Sequence, residues 1–76
     1  MNRWKIRLGA PGDVEEFVGA AGKCDFDIDA GFGHIIIDAK SILGMMGLGY
    51  SRVLDVTCRG QNEEFEKVLK KFAVMS

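Results

Sequence analysis

Few side chains in this sequence could act on a substrate. His34 is the only histidine. An imidazole can relay a proton or carry a phosphoryl group, but no Ser, Cys or acid stands at a spacing that would activate this one, and a surface histidine is the simpler reading. Asp25, Asp27 and Asp29 reproduce the opening of a calcium loop. The pattern then breaks, with Ala30 where the sharp turn needs glycine and Ile36 where the closing bidentate glutamate belongs. The three aspartates are therefore read as the wet face of a strand. The glycines Gly31 and Gly33, and Gly44, Gly47 and Gly49, do not give strand, phosphate loop and helix in the required order. Turns and close packing account for them. Cys24 and Cys58 lie far apart in sequence and read as core thiols rather than as a disulfide framework or a zinc site. No metal and no cofactor is implied.

Ser41 is the more informative residue. It precedes Ile42, Met45 and Met46, whose i, i+3, i+4 spacing marks one face of a short helix. A serine there is a helix N-cap. The same position suits a phosphate, because about two negative charges would meet free N–H groups and the positive end of the helix dipole. Lys40 adds a cation beside it. Leu43, Met46 and Leu48 are candidates for the outer side of this helix or for the core, and composition leaves both open.

The elements that must hold these residues follow from periodicity. Arg3 to Leu8 alternates strictly, with Trp4, Ile6 and Leu8 on one face of a strand. Asp13 to Ala21 reads as a helix with Asp13 as cap and Glu16 completing a capping-box variant. Asp25 to Asp29 alternates again, and Ala30 to Gly33 is expected to turn the chain as a hairpin. His34 to Ile37 returns as a strand, with Ile36 opposite Ile35 and Ile37. Arg52 to Cys58 is the fourth strand, with Leu54, Val56 and Cys58 inward. Asn62 caps the last helix, where Phe65, Val68, Leu69 and Phe72 form the stripe and Glu63–Lys67 and Glu66–Lys70 stand as i, i+4 pairs.

Seventy-six residues, 47% apolar, make one domain spanning 1–76. Each helix has an apolar face, as do three of the four strands. One sheet with three helices on a single face satisfies both, an α+β two-layer open-faced sandwich. Ten Lys and Arg against eleven Asp and Glu give a net charge of −1. That balance lacks the basic stripe of a nucleic-acid footprint. No apolar stretch approaches a membrane span. The amino terminus lacks the apolar segment of a signal peptide, so a cytoplasmic location is expected.

Lys40-Ser41-Ile42-Leu43-Gly44-Met45-Met46-Gly47-Leu48-Gly49 resembles the Lys-Ser-Ile-Met-Gly-x-Met-Ser-Leu-Gly segment of the HPr family, the phosphocarriers of the bacterial sugar phosphotransferase system. Ala20-Ala21-Gly22-Lys23 followed by Asp25-x-Asp27-Ile28 is similar to the family pattern as well. The resemblance implies an antiparallel four-stranded sheet of order 1-4-2-3. It also implies where the chain departs from the family. Spacing counted back from Ser41 puts the family's phosphocarrier motif, His-Ala-Arg-Pro, at Ala10-Pro11-Gly12-Asp13, where histidine and arginine are both missing. Without an imidazole there is no nucleophile.

The expectation is a protein that is not an enzyme, a regulatory adaptor. By the resemblance, Ser41 is the target of a serine kinase. Lys40, Ile42, Leu43, Met46 and Gly47 then contribute to a surface for a protein partner, either a transcription regulator or a phosphotransferase-system component. Gly47 replaces the family's usual serine. Two alternatives stand beside this reading. One is a true phosphocarrier using another residue. The other is a structural homo-oligomer, a homodimer for example, joined through the 34–38 strand.

Overall fold

The computed structural model describes residues 2–74. The chain order is β1 (Asn2–Arg7), α1 (Pro11–Gly22), β2 (Ile28–Phe32), β3 (Ile35–Asp38), α2 (Ile42–Gly47), β4 (Val53–Cys58) and α3 (Glu63–Phe72). The four strands form one antiparallel sheet in the order β1-β4-β2-β3. This is the α+β sandwich and the strand order that the sequence implied.

The alternation in β1 and β4 sets the two faces. Ile6, Leu54, Val56 and Cys58 are buried against the helices, whereas Arg3, Lys5, Arg7 and Asp55 lie on the open face. Lys5 and Asp55 are direct cross-strand partners and form an ion pair at 3.1 Å. Both are exposed, so the pair contributes no more than about 1 kcal/mol. From the helices come Val14, Phe17 and Ala21 of α1, Met45 of α2, and Phe65, Leu69 and Phe72 of α3. Phe17 and Phe65 meet at 5.6 Å between ring centroids. Among the described residues no polar or charged residue is buried.

Several sequence expectations shift. The expected turn at Ala30–Gly33 is mostly strand, because the alternation that begins at Ile28 runs on through Ala30 to Phe32. Ala30 is fully buried, and Gly31 is flanked by Asp55 and Ile36 on the neighbouring strands. A side chain on Gly31 would come within 3.2 Å of the Ile35 carbonyl oxygen. The turn itself is Gly33-His34, between the paired residues Phe32 and Ile35. Gly33 has φ +62°, the conformation a two-residue hairpin of type II′ needs at its first position. His34 therefore sits in the turn rather than on the strand. Of the three aspartates only Asp29 belongs to a strand; Asp25 and Asp27 precede it.

Helix α1 begins at Pro11, two residues before the expected Asp13. Proline suits a first helical position because its missing N–H would have had no partner there. Asp13 is not the cap. It lies in the first turn and its carboxylate reaches back to accept the Gly9 N–H at 3.0 Å. In α3, Asn62 caps as expected, accepting the Phe65 N–H at 2.9 Å. Lys67 pairs with Glu64, three residues before it, instead of with Glu63. The last described residues close the outer edge of β1, where Ala73 bridges to Ile6 and the Val74 N–H donates to the Lys5 carbonyl at 2.9 Å.

Helix α2 lies directly on β3. A Cβ on Gly44 would stand 2.5 Å from Cγ2 of Ile37, whereas one on Gly47 would meet nothing within 4 Å. The same substitution should therefore have opposite effects within one helix. Gly44→Ala should destabilise the protein by about 1–3 kcal/mol through overpacking. Gly47→Ala should be neutral or stabilising by up to ~1 kcal/mol through helix propensity. Urea denaturation of both variants checks the pair of signs.

Candidate functional site

Strand register divides the chemistry-bearing residues between the two ends of the sheet. At one end lie Arg7, Val53 and the Phe32–Ile35 hairpin. The β1–α1 and α2–β4 loops lie here too, joined by the Ser51 N–H donating to the Leu8 carbonyl at 2.8 Å. Ser51 has φ +63°, the one non-glycine residue with positive φ among the described residues. That conformation costs about 1–2 kcal/mol. The hydrogen bond to Leu8 holds it.

The N-terminus of α1 opens at this end. Ala10 is the N-cap, with extended backbone (φ −154°, ψ 161°) and no side-chain cap. Its carbonyl accepts from Asp13 and Val14 N–H groups. The side chains present are thus a methyl, a proline ring and the Asp13 carboxylate. His34 is at the same end but in the β2–β3 turn, with β4 standing between β1 and β2. Two strand spacings are roughly 10 Å. His34 thus does not stand in at the α1 N-terminus.

The other end holds Ser41. Its Oγ accepts the Gly44 N–H at 3.2 Å, and Ser41 is exposed. The preceding turn is fixed by Asp38. Its Oδ1 accepts the Lys40 N–H and its carbonyl accepts the Ser41 N–H, each at 2.9 Å. Lys40 sits beside Ser41 in sequence, but its ammonium donates to the Cys24 carbonyl at 2.9 Å, tying this turn to the segment after α1.

From Ser41 the helix exposes Ile42, Leu43 and Met46, at i, i+1 and i+4. Leu43 is 81% exposed, and Ile42 and Met46 are each 37% exposed. Met45 turns into the core. Leu48, a candidate for the outer side, is core as well, at 3% exposure. Leu48 follows the last helical residue as C-cap, and Gly49 after it has φ +83°. Those two geometries fold Leu48 back under the helix. Gly47 is exposed on the same helix.

No family model matches the chain, and no curated protein matches it by sequence. Solved structures do. One is HPr-C-His from Thermoanaerobacter tengcongensis, with a TM-score of 0.76 and 28% identity, covering 93% of this chain and 89% of that one. Another is a phosphocarrier protein HPr from Bacillus anthracis str. Ames, with a TM-score of 0.73 and 22% identity, covering 93% and 95%. The chain has an HPr-like fold.

The second of these neighbours is named as a phosphocarrier protein. By the resemblance read from the sequence, the place of the phosphocarrier histidine falls at Ala10, and the structure makes Ala10 the N-cap of α1. A methyl group has no lone pair to attack phosphorus. Asp13, next to the free N–H groups of α1, already supplies the negative charge that end favours and would repel a phosphoryl group.

Other chemistry is sparse. Among the described residues no group of three or more His, Cys, Asp or Glu could hold a metal ion. No helix among them is long and apolar enough to cross a membrane. The sequence reading passed over Phe32, which lies under the Arg52 guanidinium at 4.6 Å from the ring centroid. It was placed in a turn, and only the Ile28-Ala30-Phe32 alternation could have recovered it.

Cys24 and Cys58 are free and buried in the same core. Burial pushes the Cys58 thiol up to about 11, with the charges of Cys24 and Glu66 adding to the rise. Burial also raises Cys24, against the lowering effect of Lys40. A raised thiol is neutral and inert at physiological pH. The unfolded chain loses the Cys58 proton first, near the ordinary thiol value of 9.0, so the folded state loses stability as pH rises from there to about 11. Urea midpoints should fall across that window, and Cys58→Ala should flatten the fall. An equal slope in both proteins would show that Cys58 contributes nothing to it.

Proposed function

We propose that this HPr-like chain is a non-catalytic regulatory adaptor of the phosphotransferase type, which binds a protein partner through α2 and is switched by phosphorylation of Ser41. The observation that carries the reading is the exposed apolar face of Ile42, Leu43 and Met46 directly after an exposed capping serine. An HPr-like fold with alanine at the α1 N-cap supports the non-catalytic half. Methionine side chains adapt to varied partner surfaces, and a largely exposed leucine gains most from being covered.

Ser41 suits a switch for a local reason. Its hydroxyl is at the surface, and its bond to Gly44 is a single neutral hydrogen bond. A phosphate there adds about two negative charges beside the α2 N–H groups. It also adds them beside the Asp38 carboxylate and next to the apolar patch. The surface a partner meets changes in charge while the helix keeps an acceptor at its cap. Lys40, held to Cys24, positions the turn from below. Gly47 presents only backbone where the family has serine, so the C-terminal side of the patch stays flat. A serine kinase would act on the chain, and a transcription regulator or a phosphotransferase component would bind it.

The experiment is intact mass after incubation with ATP and the serine kinase of a sugar phosphotransferase system. One added phosphate is expected, and none in Ser41→Ala. Loss of the cap in that variant should cost about 1 kcal/mol of stability, so it remains folded for the comparison. An unmodified wild-type chain would remove the switch from the proposal.

A further inference from the structure

The sheet has two edges, and the chain treats them differently. Ala73 and Val74 cover the outer edge of β1. Among the described residues no strand pairs with the outer edge of β3. Unpaired edges invite pairing with another chain, and native proteins blunt them with lysine, proline, bulges or covering loops. Among the described residues β3 carries no lysine, proline or covering loop; it is four residues long, Ile35-Ile36-Ile37-Asp38, with its one charge at the end.

The hydrogen-bonding phase of this edge can be read directly. The Ala39 N–H donates to the Ile28 carbonyl at 2.9 Å. By the alternation of an antiparallel ladder, Ile37 and Ile35 also turn their backbone groups toward β2, and Ile36 turns its N–H and C=O outward. Ile36 is 71% exposed on the open face, and its cross-strand partner is Gly31, which has no side chain to cover it.

We propose that two copies of this chain pair antiparallel through β3, with Ile36 opposite Ile36 of the second copy on a two-fold axis, to give a continuous eight-stranded sheet. Three features favour this register. The outward backbone groups of Ile36 bond reciprocally, and this register brings His34 of each copy opposite Asp38 of the other. That pairing sets an imidazole N–H donor against a carboxylate on the open face. Asp38 uses Oδ1 in the turn before α2, and its second oxygen faces no hydrogen-bond donor among the described residues. On the helix side, Ile35 of each copy, 53% exposed, meets Ile37 of the other. A shift of two residues in either direction loses a hydrogen-bonded pair and the His34–Asp38 match.

The two-fold axis runs through the sheet, so both helix layers end on one side. The Ile42, Leu43 and Met46 surfaces of the two copies then face the same way. The pairing does not depend on Ser41 being modified. The contact is one short strand per copy, at the small end of specific interfaces, so association should be weak and concentration-dependent.

The test is sedimentation equilibrium of the full chain at concentrations up to roughly 1 mM, the range of weak association. The wild type should show a monomer–dimer equilibrium. Ile36→Lys puts two ammonium groups face to face on the axis and should weaken the dimer roughly tenfold or more. His34→Asp sets carboxylate against carboxylate and should also weaken it, whereas His34→Lys should keep it. Both positions are exposed, and far-ultraviolet circular dichroism confirms that the variants are folded. A wild type that is monomeric throughout would overturn the proposal. So would a dimer indifferent to Ile36→Lys, or one that His34→Lys and His34→Asp weaken equally.

Discussion

The close approach of α2 to β3, at Gly44 over Ile37, is the contact on which most of the surface chemistry depends. A helix of six residues has too few internal hydrogen bonds to persist alone. It is held from one side by Met45 in the core and from its start by the Ser41 cap. Because glycine lets the helix backbone settle onto the strand, Met45 and Leu48 reach the core. The opposite face, Ile42, Leu43 and Met46, is left outside with no neighbour to cover it. The exposed patch is therefore a consequence of how closely the helix sits, and not of surplus hydrophobicity in the chain. With any β-carbon at position 44 the helix would lift, and the patch, the cap and the two core residues would move together.

Sequence alone was a good guide wherever periodicity and caps agreed. The α3 stripe, the Asn62 cap, the Ser41 cap and the inward row of β4 were all legible, because each rests on local geometry that no neighbour overrides. The failures lie where glycine was taken as punctuation. Gly31 reads as turn chemistry, yet it sits mid-strand because a backbone carbonyl of β3 needs the space. A helix read as opening at Asp13 leaves Pro11 outside it, yet proline is a good first helical residue, so α1 starts earlier. Leu48 could not be placed because its position depends on the backbone turn at Gly49. The edge of β3 was visible only as an apolar strand. Which of its groups are unpaired follows from the register, which is a property of the sheet.

The candidate site shows the same division. Ser41 and its neighbours were marked by composition and by their resemblance to HPr, and the structure adds which side chains are exposed and what Lys40 holds. The α1 N-terminus is more telling for what its residues do. Helix N-termini favour negative charge, and in this chain an internal carboxylate, Asp13, takes that role by bonding the Gly9 N–H. Stability there no longer depends on a bound anion or on a polar N-cap. A phosphoryl group arriving at this end would meet charge already in place, and it would find no imidazole at the N-cap to accept it.

Placing the sheet edges beside the helices gives a final constraint. A four-stranded open sandwich of this length must leave one face of the sheet and two edges in water. The open face is managed by charge, with Lys5 against Asp55 and Asp29 against Arg59. The β1 edge is managed by the C-terminal segment. Among the described residues no chain covers the β3 edge, and its only charge is Asp38 at the strand's end, with His34 in the turn before the strand. Solubility alone would favour a charged residue at position 36, where the side chain touches no core atom that would penalise one. Isoleucine at that point, with an imidazole two residues before it and a carboxylate two residues after it, fits the proposed strand pairing.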